Sequence, residues 1–244
     1  MKRFSVLPAA AALLLACGLA PQAHAATLLV NQVNPYILGP DAFGVGLSSW
    51  TGFTSDLNTA FGGVGNVTIS SSTLDATANL NSYDALIVVT RQLNSTLSPA
   101  EATTLRSFID SGKRVLLLGE HQSWAAWNNS ILAVVGGSDT TDYVHGSLTR
   151  VVTNEITAGV SSLQLNYDGI AFGGTSLFDQ NVVTLWEQGN VLSMLSMTIP
   201  ADAYLNSTFN HNVAQFLSVP EPTSLGLLGL GAVALLGRRR ATQA

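Results

Sequence analysis

Two short apolar runs with an amphipathic helix between them constrain the fold of this 244-residue chain more than any other feature. Residues 83–90 read Tyr-Asp-Ala-Leu-Ile-Val-Val-Thr, and residues 114–119 read Arg-Val-Leu-Leu-Leu-Gly. Neither run alternates in polarity, so each is expected to be a strand covered on both faces. Between them, Ser98-Pro99-Ala100-Glu101 has the spacing of a capping box with Pro at the first helical position. Ala102, Leu105, Phe108 and Ile109 then recur on one helical face, and Gly112 closes the helix. Strand, helix, strand at this spacing needs a crossover, which implies a parallel sheet.

The flanking sequence repeats the alternation. Leu28 to Val33 and Val67 to Ser70 read as strands, and Phe53 to Phe61 as a short helix ended by Gly62-Gly63. Ser123 to Val135 reads as a helix ended by Gly136-Gly137. Leu148 to Thr153, Gly169 to Phe172, Val182 to Trp186 and Val191 to Met197 read as strands, and Asn206 to Leu217 as a closing helix. Residues 26–218 are therefore expected to form one α/β domain, a three-layer open and mostly parallel sheet with helices on both faces.

Composition narrows the function. Hydrophobic residues make up 47% of the chain, enough to bury a core, and charged residues only 10%. Between residues 26 and 219 five bases (Arg91, Arg106, Lys113, Arg114, Arg150) face fourteen acids. That balance argues against nucleic acid as a partner. The single cysteine, Cys17, precedes this region, which leaves the body without a disulfide, a thiolate nucleophile or a cysteine metal site.

The N-terminus has the form of an export signal. Lys2 and Arg3 precede an apolar run from Val6 to Leu19, Pro21 breaks it, and Ala23-His24-Ala25 is a small-x-small cleavage pattern. Residues 1–25 are expected to be a signal peptide cut after Ala25 by signal peptidase. An uncleaved anchor is disfavoured by the shortness of the run. Leu14-Leu15-Ala16-Cys17-Gly18 resembles a lipobox, but Cys17 falls inside the run rather than at its end.

At the other end, Pro220-Glu221-Pro222 is followed by an uncharged apolar segment, 223–237, and then by Arg238-Arg239-Arg240. At ~1.5 Å per residue the segment spans roughly 22 Å as a helix, short of a ~30 Å hydrocarbon core unless the bilayer thins or flanking residues help. It is expected to be a transmembrane helix with the arginines in the cytoplasm and the body outside the inner membrane. This order of features at residues 219–244 resembles the PEP-CTERM sorting signal. The resemblance implies cleavage by an exosortase near Pro-Glu-Pro, a transient stay in the inner membrane facing the periplasm, and delivery to the cell surface or medium. It also implies a host that makes exopolysaccharide. The plainer alternative is a C-terminally anchored periplasmic protein.

The body is similar to the flavodoxin-like core of the class I glutamine amidotransferase-like superfamily, in particular to its noncatalytic members. The residues carrying the resemblance are 84–88, the helix from Ser98 to Ser111, 114–119, Asn154-Glu155-Ile156-Thr157-Ala158-Gly159-Val160, and Asn210-His211-Asn212-Val213. Active members place a cysteine in the turn that corresponds here to Gly119-Glu120-His121-Gln122-Ser123, which has none. Thiolate amidotransfer is thus excluded. The turn still follows a central strand, where open α/β sheets bind ligands, so Glu120 and His121 are the candidate pocket residues. The structural alternative is that Glu120 caps the following helix and His121 packs.

Other constellations are sparse. Asp139, Asp142 and His145 recur at three-residue intervals, which on a helix could hold a metal, but Gly136, Gly137 and Gly146 predict an exposed loop. No Gly-x-Ser-x-Gly elbow is present. Trp50, Trp124, Trp127 and Trp186 could stack on sugars, although Trp124 and Trp127 share a helical face and are expected in the core. No catalytic residue, metal or cofactor is assigned. The expectation is a binding or structural module of the surface matrix, with polysaccharide as a partner, rather than an enzyme. A secreted hydrolase using Glu120 and His121 is the alternative.

Overall fold

The computed structural model describes residues 26–38 and 41–219. The expected signal peptide (1–25, with Ala23 and Ala25) lies outside the described residues. So do Pro220, Glu221, Pro222, the 223–237 segment and Arg238, Arg239 and Arg240. No helix among the described residues is long and apolar enough to cross a membrane.

Along the chain the elements are β1 (Leu28–Asn31), β2 (Ile37–Leu38), β3 (Asp41–Ala42), α1 (Thr51–Ala60), β4 (Val67–Ser70), β5 (Ala85–Val88) and α2 (Pro99–Asp110). Then come β6 (Arg114–Leu118), α3 (Ala125–Leu132), β7 (Ser138–Thr149), β8 (Ser162–Phe172), β9 (Thr175–Ser176), β10 (Val183–Trp186), β11 (Val191–Met194) and α4 (Ser207–Ser218). Seven strands make one sheet in the order β4-β1-β5-β6-β11-β10-β9. The first five run parallel, and β10 and β9 add antiparallel at one edge. Each residue of β1, β5 and β11 is buried, as strands covered on both faces require.

The crossover from β1 to β4 steps one way along the sheet and that from β5 to β6 steps the other. Right-handed crossovers then send α1 and α2 to opposite faces. α1 shares its face with α4, where His211 Nδ1 lies 3.2 Å from Asp56 Oδ1. α2 shares the other with α3, where Arg106 reaches the Val134 carbonyl at 3.0 Å. The expected capping box is present: Ser98 Oγ accepts from Glu101 N at 3.1 Å, and Glu101 Oε2 accepts from Ser98 N at 3.0 Å.

The region around residues 139–145, read as a loop, is part of β7, and β7 and β8 form a long antiparallel hairpin of their own. The register slips between Asp139 and Tyr143 and again between Val144 and Gly146. These bulges erase the period-two pattern that identifies a strand. The strand read over Leu148 to Thr153 is only the end of β7. The strand read to Met197 stops at Met194, because the Leu195 carbonyl leaves the ladder and accepts from Gly169 N at 2.8 Å. That bond lays the hairpin across the carboxyl ends of β6 and β11.

Candidate functional site

β6 ends at Leu118, and the chain turns through Gly119, Glu120 and His121 into a short turn, Gln122–Trp124, that leads to α3. Asn128 of α3 clamps this turn. Its Oδ1 accepts from Glu120 N at 3.1 Å, and its Nδ2 donates to the Glu120 carbonyl at 2.5 Å. The same Nδ2 donates to Asp139 Oδ2 at 3.1 Å, which ties in the hairpin.

The Glu120 side chain is 4% exposed. Its Oε2 accepts from Met197 N at 2.9 Å and its Oε1 from His121 N at 3.2 Å. Beside it, Asp168 of β8 is fully buried, and both its oxygens accept from Thr198 Oγ1 at 3.2 Å. Burial pushes Asp168 up to about 7, against the Ser196 and Thr198 hydroxyls that favour its charge. Burial, and after it the charge on Asp168, pushes Glu120 well above the ordinary carboxylate range. Two carboxyls so placed titrate as a pair and resist ionising together.

His121 is the residue that caps the following turn. Its Nδ1 accepts from Ser123 N at 3.3 Å, and its ring meets Trp124 edge-on with centroids 4.9 Å apart. Burial lowers its pKa, against a hydrogen bond with Gln122, and favours the neutral ring that can accept. The structure thus departs from the reading in which Glu120 caps: Glu120 points inward to Met197, and the neighbouring imidazole takes the cap. Glu120 and His121 are adjacent in the chain, but one anchors the segment after β11 and the other caps the turn that leads into α3. Both Glu120 oxygens are held by backbone donors and the side chain is 4% exposed, so the arrangement locks three segments together.

A second buried polar group sits at the carboxyl end of β5, beside the point where strand order reverses. Arg91 makes two hydrogen bonds to Glu101, one from Nη1 to Oε2 at 3.2 Å and one from Nη2 to Oε1. Its guanidinium lies 5.0 Å from the Trp127 ring centroid. Burial raises Glu101, but hydrogen bonds from Arg91 and Ser98 outweigh it and leave its pKa lowered. Sequence reading saw Glu101 only as half of a capping box and missed Arg91. The available signal was a rare base directly after a buried strand.

All four tryptophans are buried, and each ring N–H is spent inside. Trp50 donates to Met197 O, Trp124 to Arg91 O, Trp127 to Leu118 O and Trp186 to Ser193 Oγ, at 2.9–3.0 Å. None is presented to a sugar. Exposed rings lie on the hairpin: Phe172 at the end of β8, Tyr143 and Tyr167 with centroids 5.5 Å apart, and His145 5.5 Å from Tyr167. Asp139, Asp142 and His145 do not converge. Asp139 is buried against Asn128 while the other two are exposed, and the described residues contain no group of three metal-capable side chains. The turn at 154–160 and α4, named together by the resemblance, do meet: Asn212 Nδ2 donates to Ile156 O at 3.1 Å and to Ala158 O at 2.8 Å.

Fold and site together define an open α/β sheet protein whose strand-end turn holds a buried pair of carboxyl groups. Its fold is similar to the mmIFT52 N-terminal domain, at 14% identity over 80% of this chain and 98% of that one, with a TM-score of 0.58. It is also similar to a ThuA-like protein from Bacteroides uniformis ATCC 8492 (12% identity, 83% and 95%, TM-score 0.50). A third likeness is to alpha-L-fucosidase isoenzyme 2 from Paenibacillus thiaminolyticus (11% identity, 79% and 32%, TM-score 0.50). At these identities the likeness shows the fold alone. The ThuA-like match relates only loosely to the amidotransferase-like reading of the body. No curated protein matches the chain in sequence. The family model of the PEP-CTERM protein-sorting motif matches residues 218–240, which supports an exported, membrane-anchored precursor processed by exosortase.

Proposed function

We propose that this chain is the precursor of an exosortase-sorted protein of the cell surface or medium, and that its α/β body is a noncatalytic binding or structural module of the polysaccharide matrix. The observation that supports the noncatalytic part is the burial of the Glu120 carboxyl group, 4% exposed, with its oxygens turned inward to Met197 N and His121 N. A general base must come within hydrogen-bond reach of the proton it takes. The hydrolase alternative would have to dismantle this lock first.

The contact with polysaccharide falls to the rings of Tyr143, His145 and Tyr167 rather than to the tryptophans. Tyr143 and Tyr167 are 46% and 52% exposed, and such rings offer an apolar face together with a polar tip. An acidic body suits a neutral glycan better than an anionic one. The test is co-sedimentation of the mature protein with polysaccharide extracted from its host. Replacing both Tyr143 and Tyr167 with Ala is expected to lower the bound fraction several-fold while thermal unfolding is unchanged. Equal binding by the double variant would contradict the reading.

A further inference from the structure

We propose that, in the anchored precursor on which this reading rests, the body turns the amino edge of its sheet to the bilayer surface and holds Glu120 and His121 away from it.

The exit of the chain carries the argument. α4 ends at Ser218 on the amino edge, where Phe216 packs beneath the Arg114 guanidinium at 4.6 Å. Arg114 opens β6, and its Nη1 donates to the Gly189 carbonyl just before β11. The sorting motif begins at Ser218, so a single residue, Val219, stands between the helix and Pro220. Val219 is already extended, at φ −72° and ψ 112°, as a residue before proline prefers. At ~3.5 Å per extended residue, 219–222 reach at most about 14 Å. That is little more than the ~8–10 Å over which surface charge acts at ordinary ionic strength. The tether cannot lengthen by peeling α4 away, because Phe209, Val213, Phe216 and Leu217 are buried in the core.

Charge favours the same edge. Arg106, Lys113 and Arg114 lie there against Asp84, Asp110 and Glu187, in balance, and Lys113 Nζ is fixed on the carbonyls of Asn81 and Tyr83. The rest of the body keeps only Arg91 and Arg150 against its remaining acids. On balance, anionic headgroups disfavour the rest of the body more than this edge.

The body contains no cysteine, so single-cysteine probes are clean once the leader is removed. Asn81→Cys reports the amino edge and Thr96→Cys, in the loop after β5, the opposite one. The tail-bearing chain is placed in vesicles of a zwitterionic and an anionic phospholipid, labelled with a fluorophore, and quenched by a headgroup-attached quencher. Quenching at Asn81 is expected to exceed that at Thr96 several-fold. A ten-residue Gly-Ser insertion between Val219 and Pro220 is expected to shrink the difference while the chain still sediments with the vesicles. Equal quenching at the two sites, or stronger quenching at Thr96, overturns the proposal. Protection of Asn81 that disappears as the chain is diluted in the bilayer assigns the edge to a second copy and also overturns it. A chain that does not sediment with vesicles overturns the anchored precursor itself, and the proposal with it.

Discussion

Gly169 of β8 lies so close to the Glu120 carbonyl that a Cβ at residue 169 would sit 2.5 Å from that oxygen. The obstacle is backbone, held by Asn128, and cannot swing aside. Gly169→Ala is therefore expected to destabilise the protein by about 1–3 kcal/mol, the usual cost of overpacking. For a domain of this size that is a fall of roughly 2–4 °C in Tm per kcal/mol, read by thermal unfolding. An unchanged Tm would show that the hairpin is free to move off the sheet.

The carboxyl pair sets a pH dependence. Asp168 is raised to about 7 and Glu120 well above its ordinary value, so the folded protein holds protons that the unfolded chain releases near pH 4. Their favourable contribution is complete below about pH 4 and is lost as pH rises through about 7. The depressed His121 works the other way below pH 6.5, and its partly exposed ring makes that the smaller effect. Urea unfolding should show lower stability at pH 8.5 than at pH 5. Asp168→Asn should narrow that gap; an identical slope in the variant would refute the assignment.

Breaking the Arg91 pair should be severe. Glu101→Ala leaves a 6%-exposed guanidinium without its carboxylate. Loss of one partner of a buried pair costs about 3–5 kcal/mol. Ser98→Ala removes only the cap, at about 1 kcal/mol. The ratio of the two losses separates the ion pair from the capping box, and comparable losses would mean that Arg91 finds water.

His121→Ala should lose about 0.5–2 kcal/mol, the range for a missing N-cap, and His121→Asn should recover most of it. Thermal unfolding checks both. A variant as stable as the parent would free His121 for a chemical role.

What was legible in the sequence was local. β5, α2 and β6 declared themselves because full burial removes alternation and because Ser98, Pro99 and Glu101 cap at fixed offsets. The place of Glu120 and His121 followed from the end of β6. Their partners did not, since Asp168 and Met197 reach the turn from other segments and no spacing encodes that contact. The hairpin was hidden by its own irregularity: Thr141 and Tyr167 adopt positive φ, 63° and 59°, at residues that rarely do. Trp124 and Trp127 lie in the core as their shared helical face implies, whereas Trp50 and Trp186 carried no such signal, because composition does not show where an indole N–H is spent.

Intact mass and location of the native protein, with and without the host's exosortase, decide whether the chain is sorted. The predicted result is a mature form running from about Ala26 to the Pro220-Glu221-Pro222 region, at the surface or in the medium only when exosortase is present. A form that keeps Arg238, Arg239 and Arg240 and stays in the same place in both strains would contradict it and leave a plain periplasmic anchor.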